Sequence, residues 1–396
     1  MAAFFIAPFY VFINIYIVRW MFLWMGSCHY LFQTHIFRIV FAGVYILLAT
    51  SLLTGFLIQK PLWLHRFLKN VGNYFLGTFL YILLVIITVD AGRLILKYLF
   101  HVSWIGTRIA FVTTGLICFL LILFLSAYGI IHTTQVKVTP YEVTVDKKAG
   151  GINSMKIVLA ADLHLGYSAG ARHTERLVKK INAEHPDLVC IAGDIFDNEY
   201  DAFDHSERVK AALRSIESTY GVYACWGNHD LNEPILAGFT FANDSSELED
   251  ERMKDFLDDC GIHLLDDSST LIDGKFYLVG RKDPSRSKKL LETRKTPAQL
   301  TEKLDRSKPI IFIDHQPKEL EEISQAGADL DLCGHTHNGQ IFPGSLAIRF
   351  FWENSCGYLK KGDMHNIVTS GAGVWGPNMR VGTDSEICSI TVHFSS

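Results

Sequence analysis

Five short stretches carry Asp, His and Asn at spacings that could hold metal ions. They are "DLH" (Asp162, His164), "GD" (Gly193, Asp194), "GNHD" (Asn228, His229, Asp230), "DHQP" (His315) and "GHTH" (His335, His337). On a helix, residues two apart diverge by about 200°, whereas in an extended chain they share a face. The D-x-H and H-x-H pairs can therefore each reach one object if they sit at the ends of strands. Asp162, His164, Asp194, Asn228, His315, His335 and His337 make seven oxygen and nitrogen donors without a thiolate. Such a set suits borderline divalent ions such as Mn, Fe or Zn. One ion needs fewer ligands, but two ions sharing one carboxylate would use them all. Any one stretch alone could be a turn rich in Gly and Asn, and His315 alone an ordinary core residue. It is their combination, order and placement that point to a site.

The surrounding sequence supplies the strands. "MKIVLAADLHLG", "DLVCIAGDIFDN", "YGVYACWGNHD" and "PIIFIDHQP" are apolar runs that end on the candidate residues, and "ADLDLC" runs into "GHTH". Between them, "RHTERLVKKINAEHP" and residues 203–218 have helical periodicity, and alternation of this kind argues for an α/β unit. The second half mixes a helix at about 247–259, short strands and a charged helical stretch at 284–306. Strands "HNIVTSGAGVW" and "EICSITVHF" close the chain. Mixed strand directions imply two packed mixed β-sheets flanked by helices. Ligands of open α/β sheets bind beyond the carboxyl ends of strands, where these residues fall.

The first part of the chain has another composition. Of 37 Lys+Arg, only 8 precede residue 132, against one acidic residue, Asp90, of 41; the remainder holds 29 basic and 40 acidic residues. Segments 4–25, 36–58, 74–96 and 108–131 each approach the ~20 apolar residues that cross a bilayer. Polar stripes at helical spacing, as in soluble helices, are missing. The reading is an N-terminal membrane region of about four helices at 1–131, a linker at 132–153 in which "TTQVKVTPYEVTV" looks like an extended entry segment, and a catalytic domain at 154–396. No basic n-region or small-residue cleavage site precedes a polar mature chain, so the membrane region is expected to stay attached. Trp20, Trp24, Trp63 and Trp104 near span ends suit interface anchors, and Asp90 and Arg93, at i and i+3, could pair. Basic residues flanking the spans barely favour one orientation. Eight cysteines show no CxxC pattern. Cys190, Cys225 and Cys333 in strand runs behave as small core hydrophobes, which favours a reducing compartment and the cytoplasmic side.

In these motifs the chain resembles the calcineurin-like metallophosphoesterase superfamily, whose pattern runs DxH, GD, GNHD, a later His and GHxH. "DLDLCGHTHNGQIFP" and "GPNMRVGTDSEI" look like its membrane-associated bacterial phosphodiesterase branch. That branch usually has Gly after the second His, and Asn338 departs from it. The resemblance implies that Asp162, His164 and His337 hold one metal ion, Asn228, His315 and His335 a second, and that Asp194 bridges both. It leaves His229 to protonate or stabilise the leaving oxygen, with Asp230 a candidate to orient its ring. Metal-bound hydroxide would be the nucleophile, so Cys225 and Cys333 are expected to be inert. Arg380 is either a contact for a substrate phosphate or a plain surface residue.

The resulting expectation is a multi-pass cell-membrane, dinuclear-metal-dependent phosphoesterase that cleaves a phosphoester or pyrophosphate. A lipid-linked substrate such as UDP-diacylglucosamine fits the membrane region and some relatives of the branch. A nuclease or nucleotide phosphodiesterase of the same superfamily is the alternative, but the acidic balance offers no basic footprint for nucleic acid. A non-enzymatic membrane protein with a degenerate domain would show a lost ligand, and none is lost.

Overall fold

The computed structural model describes residues 2–202, 204–236, 239–240 and 248–395. The chain divides into two compact units. The first comprises Met1–Ile131 with Leu236–Phe239 and Gly376–Met379, and the second His132–Ile235, Thr240–Trp375 and Arg380–Ser396.

The first unit is helical: α1 (Ala2–Cys28), α2 (His35–Ala49), α3 (Ser51–Leu57), α4 (Leu62–Tyr98) and α5 (Arg108–His132). The stretches Ala7–Cys28, Leu62–Tyr98 and Arg108–His132 are long and apolar enough to cross a membrane, and α2 with α3 makes a fourth candidate bent by 54°. The second expected span is thus broken. At the break the Thr50 and Ser51 hydroxyls donate to Ile46 O (2.7 Å) and Leu48 O (2.6 Å), and such back-bonding competes with the helical ladder and bends it. The third starts earlier than expected, at Leu62, because Pro61 sits just before the first helical residue and no breaker follows. Ile17, Trp20, Phe79, Ile82, Ile86 and Cys118 pack its interior. Asp90 accepts from Tyr16 Oη (2.7 Å) and Trp20 Nε1 (3.1 Å) and pairs with Arg93 at 3.6 Å. Trp24 donates to Val112 O. Trp20 and Trp24 therefore serve helix packing instead of an interface, while Trp63 and Trp104 stay exposed.

In the second unit the strands are β1 (Val136–Val145), β2 (Ser154–Ala160), β3 (Leu188–Ala192), β4 (Val222–Cys225), the short pair β5 (Ile235–Leu236) and β6 (Phe239–Thr240), β7 (Ile262–Leu264), β8 (Ser268–Ile272), β9 (Phe276–Gly280), β10 (Ile310–Ile313), β11 (Leu330–Cys333), β12 (Gly357–Lys361), β13 (Met364–Val368) and β14 (Ser385–Phe394). Two six-stranded sheets form, ordered β1-β14-β2-β3-β4-β7 and β12-β13-β11-β10-β9-β8. Both are mixed: β2, β3, β4 and β7 run parallel, as do β9, β10, β11 and β13, whereas β14 is antiparallel to β2 and β12 to β13. Residues 132–153, read from sequence as a linker, include β1, which pairs with β14 along its whole length.

The sheets pack face to face through Ile157, Leu159 and Leu188 on one side and Leu278, Ile313 and Leu332 on the other. Helices α6 (Ala171–Ala183), α7 (Ser206–Arg214) and α8 (Glu251–Asp259) cover the first sheet, burying Leu177, Ile181, Val209, Leu213 and Phe256. Phe312 and Met364 of the second sheet pack outward with Leu300 and Ile323, from α9 (Pro297–Thr301) and α10 (Leu320–Gln325). Central strands covered on both faces read as unbroken apolar runs, which is why "LVCIA" and "IIFI" are buried at every position.

Candidate metal centre

Five strand ends converge. Asp162 and His164 follow β2, Asp194 follows β3, Asn228 to Asp230 follow β4, His315 follows β10, and His335 and His337 follow β11. Each sheet is parallel over these strands, so their carboxyl ends point the same way and deliver the side chains together. Three groups result: Asp162, His164, His337; Asp194, His315, His335; and His164, Asp197, His229, which shares His164 with the first. Within each the donor atoms lie within 4.8 Å of one another. His164 Nε2 is 3.1 Å from His337 Nε2, and His337 Nε2 is 3.6 Å from Asp162 Oδ1. His315 Nε2 is 3.1 Å from Asp194 Oδ2, 3.1 Å from Asn228 Oδ1 and 3.2 Å from His335 Nδ1. Asp194 Oδ2 is also 3.8 Å from His164 Nε2, so this carboxylate stands between the first two groups. All seven sequence-singled donors lie in one place.

The donor set fits cations. His315 Nδ1 donates to Ala192 O at 2.9 Å and His164 Nδ1 lies 3.3 Å from Asp197 Oδ1. In the neutral ring that leaves Nε2 of each bare and facing the cluster, the arrangement by which an outer partner fixes a ligating tautomer. Facing imidazole nitrogens cannot both keep a lone pair and be satisfied without a positive centre between them. The electrostatics of the metal-free chain agree. Burial alone would lower the His315 pKa, but Asp194 and Asp162 beside it hold it well above the usual range. Burial raises the Asp162 carboxyl, and the Asp194 carboxyl is held well below normal because His315 and His229 outweigh its burial. His335 and His337 are pushed well below normal, chiefly by burial.

The backbone is bent to achieve this. Asp162, His164, Asp194, His335 and His337 all have positive φ, between 44° and 73°. Non-glycine residues held there store strain of order 1–3 kcal/mol each, typical of functional sites. Neighbouring glycines make room: a Cβ on Gly227 would stand 2.2 Å from Asp194 Oδ1, and one on Gly334 would stand 2.6 Å from Asp162 Oδ2. Asn338, which replaces the usual Gly, has φ 50° and ψ 30°. Asn tolerates this left-handed region better than other side chains, so the departure leaves the loop intact. Asn338→Ala is expected to lower stability by ~1–2 kcal/mol, with Asn338→Gly near neutral. Denaturant titration of both variants checks this, and equal losses would contradict a conformational origin.

His229 and Asp230 part company. The His229 N–H donates to Asp194 Oδ1 at 2.7 Å, while its ring Nδ1 bonds Asn198 Oδ1. The residue is half-buried, and desolvation of its ring lowers its pKa to about 4. Asp230, expected to orient that ring, instead accepts from the Phe196 and Gly227 N–H groups at 2.8 and 2.7 Å. It shapes the GNHD turn, and its carboxyl is raised by burial with Asp194 adding to it. Asn198 and Asp197 were not singled out from the sequence. Both follow "GDIF" in the loop after β3, so their only signal was nearness to Asp194.

Arg380 is neither a surface residue nor open to substrate. It is fully buried and donates to Ser370 O (2.6 Å), Gly373 O (2.9 Å), Gly371 O (3.2 Å) and His337 O (3.3 Å). Burial lowers its pKa to about 10. It ties the loop after β13 to the turn that carries His337. Cys225 and Cys333 are fully buried with thiols raised well above normal by burial, so they are inert core.

An apolar segment borders the centre. Phe342, Leu346, Phe350 and Phe351 are 47, 55, 88 and 77% exposed. The segment follows the turn of His335 and His337 and ends at Trp352, whose ring lies 5.1 Å from that of His335. Trp375 lies 5.9 Å from His229, ring to ring.

Residues 155–339 match the calcineurin-like phosphoesterase family. The chain is similar to an uncharacterized metallophosphoesterase of Campylobacter jejuni, 30% identical over 286 residues, 71% of this chain and 69% of the relative. It is similar to a transmembrane protein with metallophosphoesterase domain of Danio rerio, 29% identical over 288 residues, 68% of this chain and 60% of that one. A UDP-2,3-diacylglucosamine pyrophosphatase of Chlamydia trachomatis is 23% identical over 238 residues, 52% of this chain and 70% of the relative.

Proposed function

The chain belongs to the calcineurin-like metallophosphoesterase family and is a metal-dependent phosphoric ester hydrolase, and from that premise we propose that it uses two divalent ions to cleave a phosphoester or pyrophosphate bond of a lipid-linked substrate at a membrane. The observation that carries the dinuclear reading is the pair of donor groups with Asp194 between them. On this reading Asp162, His164 and His337 hold one ion, Asn228, His315 and His335 the other, and Asp194 both. Mn, Fe and Zn all suit such nitrogen and oxygen donors. When bound, paired ions activate water and neutralise phosphoryl oxygens in an in-line displacement.

The chain's own residues do the rest. The Ala192 carbonyl fixes the His315 ring, Asp197 stands 3.3 Å from His164 Nδ1, and Asp230 holds the turn that presents Asn228 and His229. His229, which this reading assigns to neither ion, is left to meet the leaving oxygen. Asn198 holds its Nδ1 side and leaves Nε2 for proton transfer.

Support for a lipid-linked substrate comes from the exposed segment from Phe342 to Phe351 beside His335. Exposed apolar patches of this kind mark ligand or membrane contacts. The apolar helices of the first unit support membrane anchoring, and free cysteines among the described residues favour its cytoplasmic face. The Chlamydia relative's name supplies a concrete candidate substrate class, a nucleotide diphosphate carrying acyl chains. A nuclease reading has less support, since the second unit carries more acidic than basic residues.

The test reconstitutes full-length protein in lipid vesicles and assays a lipid-linked pyrophosphate beside a soluble nucleotide diester. Phe350→Ser with Phe351→Ser should cut the lipid rate by ~10-fold or more, because each buried Phe contributes ~1.5–3 kcal/mol. The diester rate should fall far less. Equal losses on both substrates, or none on the lipid, would overturn the lipid reading while leaving the phosphoesterase chemistry in place.

A further inference from the structure

Between the start of β1 and the outer face of α6 lies a cavity of about 760 Å³, lined by Lys137, Arg176, Lys179, Lys180, His132 and Asp384 among others. Helix α6 turns Leu177, Val178 and Ile181 into the core, so Arg176, Lys179 and Lys180 point outward as neighbours at i, i+3 and i+4. Like charges so placed repel. None of the three has an ion-pair partner among the described residues. Asp384, the acidic residue of the lining, is already paired with His132 (2.9 Å) and Lys137 (3.1 Å). The chain from residue 132 onward holds 29 basic and 40 acidic residues, so this concentration of cations is local and runs against the background.

The position along the chain matters as much as the charge. The cavity is lined at His132, the last residue of the apolar helix α5, and again from Thr134 to Lys137, where β1 begins. Lys137 is five residues beyond the helix end, a reach of at most about 18 Å for extended chain. If α5 crosses a bilayer, the headgroup layer on the side where it ends, about 5–8 Å deep, lies within that reach. A lone phosphate would leave most of the volume empty, whereas a glycerophosphate headgroup is of suitable size for a cavity of this class.

We infer that this cavity binds the phosphate-bearing headgroup of an anionic phospholipid from the leaflet in which α5 ends. Arg176, Lys179 and Lys180 neutralise the phosphate, and Lys137, steadied by Asp384, borders the rim. The inference rests on the reading that α5 spans a membrane but not on the chemistry of the metal centre. A basic cluster beside a spanning helix is strongly attracted to an anionic leaflet.

The experiment uses full-length protein in detergent micelles titrated with phosphatidylglycerol or phosphatidylcholine, with bound lipid counted by native mass spectrometry. Phosphatidylglycerol should be retained in preference, and the combined Arg176→Gln, Lys179→Gln and Lys180→Gln protein should bind it ~10-fold or more weakly. Lys179→Arg with Lys180→Arg should keep the preference. The side chains are exposed, so thermal melting should be unchanged, and Lys180→Gln alone serves if the triple variant melts early. Millimolar inorganic phosphate should not displace the lipid. Equal retention of the two lipids, an unaffected triple variant, or displacement by phosphate would each overturn the proposal. Alkaline carbonate extraction separates the premises: release of the protein from membranes would remove the spanning reading, whereas retention without lipid preference would sink this inference alone.

Discussion

Asp194→Asn is expected to strip both ions and to lower the hydrolysis rate by more than the ~10–100-fold that loss of an outer ligand partner costs. The reason is its position. Its carboxylate is 3.1 Å from His315 Nε2 and 3.8 Å from His164 Nε2, one member of each donor group, so no other ligand change would disturb both ions. The asparagine keeps the shape and can still accept the His229 N–H, which isolates the loss of charge. Asp197→Asn makes the control: it changes the partner of His164 at 3.3 Å and should weaken one ion only, within the ~10–100-fold range. Elemental analysis after loading should give two ions per chain for the unaltered protein. A reading of one or zero there, or full metal content and rate in Asp194→Asn, would refute the bridged pair. Loading should also depend on acidity. In the metal-free chain His315 has a raised pKa and keeps its proton to higher pH, and ligation requires the bare ring. Metal binding should therefore release protons and weaken as pH falls. Calorimetry in buffers of different ionisation enthalpy would detect that release.

The candidate donors were legible because their chemistry is tied to local structure. A D-x-H or H-x-H pair has one face in common only in extended chain, and an apolar run before each pair marks that chain as a strand. Two packed mixed sheets followed from the same runs. What escaped depended on contacts made only in the folded chain. Asn198 touches His229 across the two loops after β3 and β4, and no spacing rule predicts it. Asp230 stood next to His229 in sequence, but the tight turn that Gly227 permits directs its carboxylate back to the backbone. Arg380 reads as a solvent residue by type, yet a group of carbonyls from residues 370 to 373 satisfies its guanidinium in the interior. The break at Thr50 was visible as "ATS" within an apolar run. Composition windows average over such hydroxyls, whereas the helix responds to each. The stretch "TTQVKVTPYEVTV" reads as extended chain, but its pairing escaped because its partner β14 lies at the other end of the chain.

His229→Ala should keep both metal ions and lose ~10²–10⁴ in rate, the scale of a positioned proton donor. The proposed assignment gives its ring to neither ion, although it lies in a third donor group with His164 and Asp197, so the metal count tests that assignment directly. Asn198 holds the Nδ1 side, which leaves Nε2 as the atom that can meet a leaving oxygen. Burial lowers the ring pKa to about 4, so it is neutral in the substrate-free chain at pH 7. The negative charge of an entering phosphoryl group raises that value and brings the proton where it is needed. Two consequences separate this role from mere support of the turn. A leaving group that is already a stable anion needs no proton, so the loss in His229→Ala should shrink for nitrophenyl esters and stay large for alkyl esters. Asn198→Ala, which frees the ring without deleting it, should cost less than His229→Ala and show the same dependence on the leaving group. Asp230→Asn should act differently, since its carboxylate holds the Phe196 and Gly227 N–H groups: stability should fall, and any rate loss should be the same for both ester types. Equal losses for nitrophenyl and alkyl esters in His229→Ala, or a missing metal ion in that variant, would exclude proton donation by this ring.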